Sequence, residues 1–141
     1  MENFKIKLGI ENMDINAIQK FLNEESYWAK GIPREIVSIS LQNSFCAGTF
    51  LDRQQIAFAR LITDYATFAY LADVYVLPEF RGKGLSKLLV SEILTQPFVL
   101  KLRRILLATA DAHSLYQKFG FAPPADPGTL MEIKRNNIYD K

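Results

Sequence analysis

Between Pro78 and Leu88 the chain reads PEFRGKGLSKL, directly after the apolar run FAYLADVYVL. A strand that delivers Arg-Gly-Lys-Gly into a helix presents several unsatisfied backbone N–H groups at the helix N-terminus. Those donors and the positive end of the helix dipole form a site for an anion. Gly82 and Gly84 open backbone angles closed to other residues and let a bulky group come close. Ser86 adds a hydroxyl, and Arg81 and Lys83 add charge. A pyrophosphate satisfies all of these groups at once. The glycine spacing matches neither Gly-x-x-x-x-Gly-Lys-Ser/Thr nor Gly-x-Gly-x-x-Gly, so two better-known phosphate loops do not fit. Taken alone, the loop also reads as a glycine-rich turn bordered by solvated cations.

Asp73 stands in an otherwise apolar stretch, where a buried carboxylate is costly unless it is paired or used. It reads either as a proton acceptor or as an aspartate tied to a neighbouring backbone group or cation. His113 lies three residues before Tyr116 on one helical face, placed to relay protons or to cap the helix beside Asp111. Asp111 opens that helix and reads as its N-cap. Asp64 and Tyr65, on the loop before the central strand, read either as contacts for a substrate or as a solvated turn. The single cysteine, Cys46, falls within a strand without a basic neighbour in sequence and reads as a buried thiol.

The elements that must position these groups follow from periodicity. FKIKLGI alternates Phe4, Ile6, Leu8 and Ile10 against Lys5, Lys7 and Gly9, as a strand with one wet face does. Asp14 caps a helix whose Ile15, Ile18 and Leu22 share a side, and Pro33 suits the first turn of a second helix through about Leu41. FCAGTFL and QIAFARLI form a hairpin across DRQQ, and Thr67 to Leu77 is a largely buried central strand. A helix from Leu85 stops before Pro97. RILLATA is a strand, DAHSLYQKF a short helix ended by Gly120, and LMEIK a final strand. The order β-α-α-β-β-β-α-β-α-β predicts an α+β fold, a mixed sheet with helices on its faces.

With 141 residues, 49% apolar and 23% charged, the chain is expected to form one domain over residues 1–141. A net charge of +2 gives no electrostatic case for nucleic acid. One cysteine excludes an internal disulfide and a multi-thiolate metal site, and no metal is expected. The opening MENFKIKLGI lacks a signal-peptide pattern, and no apolar run approaches the roughly 18–20 residues of a membrane span. The expected compartment is the cytoplasm, and a homodimer is the default oligomeric expectation.

Together, VYVLPEFRGKGLSKLL and LYQKFGF about 25 residues later resemble the GNAT superfamily of acyl-CoA-dependent N-acyltransferases, in particular its small stand-alone bacterial members. The family pattern Arg/Gln-x-x-Gly-x-Gly/Ala falls on Arg81, Gly84 and Ser86, with serine in place of the usual small apolar residue. The resemblance implies a mostly antiparallel central sheet flanked by helices. It also implies that the N–H groups of Arg81, Gly82, Lys83, Gly84, Leu85 and Ser86 hold the pyrophosphate of coenzyme A. The backbone of Val74, Tyr75 and Val76 would pair with the pantetheine arm, with an oxyanion donor at about Tyr75 or Val76. Tyr116 matches the family's general acid. A phenol near pKa 10 stays protonated at neutral pH and can donate to a thiolate whose acid is near 8.5. Asp73, beside the implied thioester, becomes a candidate base. Tyr27 and Trp28 fall where the first two helices often shape the acceptor pocket, and they read equally as aromatic core. The implied activity moves acetyl from acetyl-CoA to a primary amine of a small molecule or protein by direct attack. The alternatives are a non-catalytic acyl-CoA-binding regulatory module and an unrelated phosphate- or nucleotide-binding enzyme.

Overall fold

The computed structural model describes residues 3–140. Its core is a five-stranded sheet in the order β1-β2-β3-β4-β5, formed by Phe4–Leu8, Ser44–Leu51, Gln54–Thr63, Phe68–Val76 and Arg104–Leu106. The first four strands run antiparallel to their neighbours, and β5 lies parallel to β4. Helices α1 (Ile15–Glu24) and α2 (Arg34–Gln42) join β1 to β2, α3 (Leu85–Leu94) joins β4 to β5, and α4 (His113–Gln117) follows β5. This is the mixed, mostly antiparallel arrangement expected from the pattern.

Local chemistry accounts for most of these elements. Asp14 caps α1 by accepting the Ala17 N–H at 3.1 Å. Ile18, Phe21 and Leu22 form the buried stripe of that helix. The β2–β3 hairpin turns on Asp52 and Arg53 alone, with Asp52 at φ 54°, as a two-residue turn requires. Gln54 and Gln55 therefore belong to β3 rather than to the connection. Gln55 is buried, and its amide accepts from the Asp14 N–H and donates to the Ala57 carbonyl.

The sheet separates two apolar layers. Ala47, Ala57, Ala59, Leu61, Ala69 and Leu71 meet Leu89, Val90 and Ile93 of α3 on one face. Cys46, Phe58 and Tyr75 meet the buried stripes of α1 and α2 on the other. Among the described residues, no helix is long and apolar enough to cross a membrane.

Two expected strands are corrected. RILLATA pairs only over Arg104–Leu106, and the remainder is not strand. LMEIK forms no strand: Leu130 to Lys134 pair with nothing in the sheet, and Met131 and Ile133 are 96% and 85% exposed. Alternation supplies β propensity but not a partner edge, and the edge strand β5 offers only a short one.

Candidate active site

β4 carries the irregularity around which the site is built. Phe58 pairs with Tyr75 and Arg60 with Ala72, so Ala59 alone opposes both Asp73 and Val74. This is a β-bulge, and Asp73 occupies it at φ 57°. One extra residue inverts the phase of all that follow. Ala69 and Leu71 face α3, and after the bulge Val74 and Val76 take over that face. Tyr75 and Leu77 are turned toward α1.

The Asp73 carboxylate is engaged at both oxygens. Trp28 donates its indole N–H to Oδ1 at 2.7 Å, and Arg60 donates Nε–H to Oδ2 at 2.6 Å. Arg60 also donates Nη1–H to the Ser44 hydroxyl at 3.0 Å. The network ties the bulge to the neighbouring strands and to the loop after α1, where Tyr27 and Trp28 pack edge to face at 5.0 Å. Neither ring is core: Tyr27 is 65% and Trp28 43% exposed. Sequence reading missed Arg60 and Ser44. The available signal was a lone cation in the apolar strand QIAFARLI.

Past Tyr70, already ahead of the bulge, β4 has a free side. Its parallel pairing with β5 covers only Phe68↔Arg104, Ala69↔Ile105 and Tyr70↔Leu106. From Leu71 to Val76 the strand has no sheet partner in that direction, so an extended ligand with amide groups can pair there. This fits the pantetheine arm of an acyl-CoA.

That edge leads into the glycine loop. After a 3-10 turn over Pro78–Phe80, Gly82 and Gly84 take φ 83° and 75°. A Cβ at either would meet nothing within 4 Å, so glycine serves the backbone angle here and not clearance. Gly84 stands at the N-cap of α3 without a capping side chain. Among the described residues, the N–H groups of Gly82, Gly84, Leu85 and Ser86 have no backbone partner. Arg81 turns back and donates Nε–H to the Val76 carbonyl at 3.0 Å, bracing the strand–loop junction. Lys83 lies 5.9 Å above the Phe4 ring. A helix start with exposed donors fits a pyrophosphate. Gly84→Ala is expected to cost about 1–2 kcal/mol, since an alanine must hold a left-handed angle. Thermal denaturation should show a midpoint lower by several degrees.

Tyr116 lies on α4 with its ring buried in the α3-side layer, edge to face with Phe121 at 6.0 Å. Its hydroxyl hydrogen-bonds no described residue and is not among the sealed polar atoms. Burial first, then the charge of Asp111 and the nearby Tyr27, push the phenol above its ordinary value. His113, one turn earlier, is exposed. Asp111 is not the N-cap: Ala112 holds that position, and the Thr109 hydroxyl accepts the N–H groups of Asp111 and Ala112.

Asp64 organises its own turn. It accepts the N–H groups of Ala66, Thr67 and Phe68 and the Thr67 hydroxyl, which together hold its carboxyl far below the usual range. Tyr65 packs on Phe98 at 4.8 Å. Cys46 is fully buried, and desolvation pushes its thiol up to about 11, an unreactive state at neutral pH.

The Acetyltransferase (GNAT) family model matches residues 15–121, from the start of α1 through Phe121. The crystal structure of a Xanthomonas campestris protein described as a GNAT-family acetyltransferase is 45% identical. It aligns with 100% of this chain and 99% of that chain at a TM-score of 0.96. A GNAT-family acetyltransferase of Streptococcus pneumoniae, 19% identical, shares the fold at a TM-score of 0.74 over 96% of this chain and 99% of that one. A Gibberella zeae protein that bears an acetyltransferase name is 30% identical over 127 residues, 75% of this chain and 71% of that protein. The span matched by the family model contains the bulged strand, the amide-rich loop and Tyr116. The chain belongs to the Acetyltransferase (GNAT) family and is an acetyltransferase.

Proposed function

We propose that this protein transfers an acetyl group from acetyl-CoA to a primary amine by direct attack, with no acyl-enzyme intermediate. The observation that carries this reading is the free edge of β4 followed, after one 3-10 turn, by the N–H groups of Gly82, Gly84, Leu85 and Ser86, which have no backbone partner among the described residues. Acetyl-CoA supplies the acyl group as a thioester. In this reading the backbone of Val74, Tyr75 and Val76 holds the pantetheine arm, and the loop from Gly82 to Ser86 holds the pyrophosphate, the Arg81 N–H expected to join them being taken by the Pro78 carbonyl at 3.3 Å. A backbone N–H at Tyr75 or Val76 faces the carbonyl oxygen as negative charge develops, a donor fixed before reaction. Tyr116 gives its hydroxyl proton to the departing sulfur, and the proton shed by the attacking amine returns through solvent to the Tyr116 phenolate, so that amide, free thiol and the starting phenol result. Asp73, with both oxygens engaged, anchors the bulge that aims those backbone donors.

A thermal-shift titration with acetyl-CoA, coenzyme A and ADP tests the reading. Ligand at about 100 times its dissociation constant adds about 2.7 kcal/mol, so the melting point should rise by several degrees with both pantetheine-bearing ligands. ADP should barely move it. The absence of any shift at millimolar ligand overturns the assignment of the loop and the edge.

A further inference from the structure

On the far side of β4 from the α3 layer, a groove of about 540 Å³ runs between α1 and the chain leaving the strand. The Asp73 network does not use it. Asp14, Glu25 and Glu79 line it against a single cation, Lys20. That balance is the reverse of the whole chain, whose net charge is +2. Between the charged groups lies an apolar strip of Ala17, Phe21 and Leu77.

Acidic residues at a surface are ordinary, but Tyr75 is not. It is only 5% exposed and lines the groove, with its ring stacked on Phe21 at 3.9 Å. Its hydroxyl hydrogen-bonds none of the described residues, yet it is not sealed from solvent. With its ring buried and its hydroxyl still open, the phenol takes its hydrogen-bond partner from the groove it lines and not from the protein. Burial first, then the charges of Asp14 and Asp73, push this phenol up, so it stays neutral and can accept a hydrogen bond from an ammonium group.

We infer that this groove binds a linear amine bearing a second ammonium group, its methylene spacer on the apolar strip and its cationic ends against the carboxylates and the Tyr75 hydroxyl. Tyr75 connects the groove to the bulge: it lines the groove, and the charge of Asp73 reaches its hydroxyl. Tyr75 is two residues past Asp73, and Glu25 lies three residues before Trp28, which holds Asp73. A dication seated there presents one end toward the thioester. The role as acceptor rests on the acetyl-transfer reading above, whereas binding of the dication does not.

Calorimetric titration with 1,4-diaminobutane and with n-butylamine, in the presence of coenzyme A, reads binding without turnover. The diamine should bind at least tenfold more tightly. The double variant Glu25→Gln/Glu79→Gln removes two exposed carboxylates and should abolish the difference, and Tyr75→Phe should weaken the diamine severalfold with an unchanged melting point. Equal binding of the two amines, or a double variant that binds like the parent, overturns the groove assignment. A separate thiol-release assay with acetyl-CoA addresses transfer: tight diamine binding with no thiol release from any amine would overturn the acetyl-transfer reading and leave the groove standing. Equal thiol release from monoamine and diamine, unaffected by the double variant, would do the reverse.

Discussion

Replacing Tyr116 by Phe is expected to lower kcat by about 10²–10⁴-fold while coenzyme A affinity stays at the parent value. The substitution keeps the buried ring and its contact with Phe121, and it removes a hydroxyl that bonds no described residue. Stability should therefore change by no more than about 0.5 kcal/mol, so lost turnover would report chemistry and not folding. The pH profile gives a second readout. Ionisation of Tyr116 destroys the donor, so its contribution to kcat disappears as pH rises through the phenol's pKa. Burial and Asp111 raise that pKa, which places the loss above the ordinary value of about 10. Asp111→Asn takes away a charge that opposes the phenolate and should move the alkaline limb downward. Steady-state kinetics from about pH 7 to about pH 11, a span that brackets the ordinary phenol, check both statements. A Tyr116→Phe enzyme within about threefold of the parent kcat would remove Tyr116 from the mechanism.

The second large effect is expected at Asp73. Its removal leaves the Arg60 guanidinium, 16% exposed at the side chain, without its carboxylate, and leaves the Trp28 indole without its acceptor. Breaking such a pair from one side costs about 3 kcal/mol, so Asp73→Ala should lower the melting point by about 10 °C. Activity should fall with it, because the same carboxylate offsets the roughly 1–2 kcal/mol cost of a left-handed angle at the bulge. Asp73→Asn separates the anchoring role from proton acceptance. It keeps an acceptor for Trp28 and weakens the bond to Arg60, so an anchor predicts parallel, moderate losses of stability and kcat. Trp28→Phe should then produce losses of the same kind. An Asp73→Asn protein with the parent melting point and kcat reduced about 10²-fold would instead identify Asp73 as the base.

Much of the site is legible in the amino-acid sequence because its signals are local. Glycine at 82 and 84 marks angles that other residues adopt only at a cost, and the structure places both at positive φ. The Asp14 cap, the stripe of α1 and the hairpin follow from residues within a turn or two of one another. On α3, by contrast, the expected face of Leu85, Leu88, Leu89 and Ile93 is corrected, with Leu88 59% exposed and Val90 buried in its place. Asp73 stands out as a charge in an apolar run, but its partners do not, since Arg60, Trp28 and Ser44 reach it only through strand pairing and the loop after α1. The expected Asp111 cap fails for a related reason: no side chain caps α4, and the Thr109 hydroxyl accepts the N–H groups of Asp111 and Ala112 just ahead of the helix.

The order of the amino acids is enough to specify the kinds and succession of the elements up to α4, the amide-rich loop and the presence of a phenol on the short helix after β5. Periodicity and backbone preference act over a few residues, so they can be read without knowing what packs against what. The bulge at Asp73, the resulting turn of Tyr75 toward α1 and the early parting of β4 from β5 emerge only when the strands come together. The same is true of residues 130–134, which for all their alternation lie unpaired. Each of these depends on register between segments distant in sequence, where a shift of one residue exchanges the faces of a strand at almost no cost in local propensity.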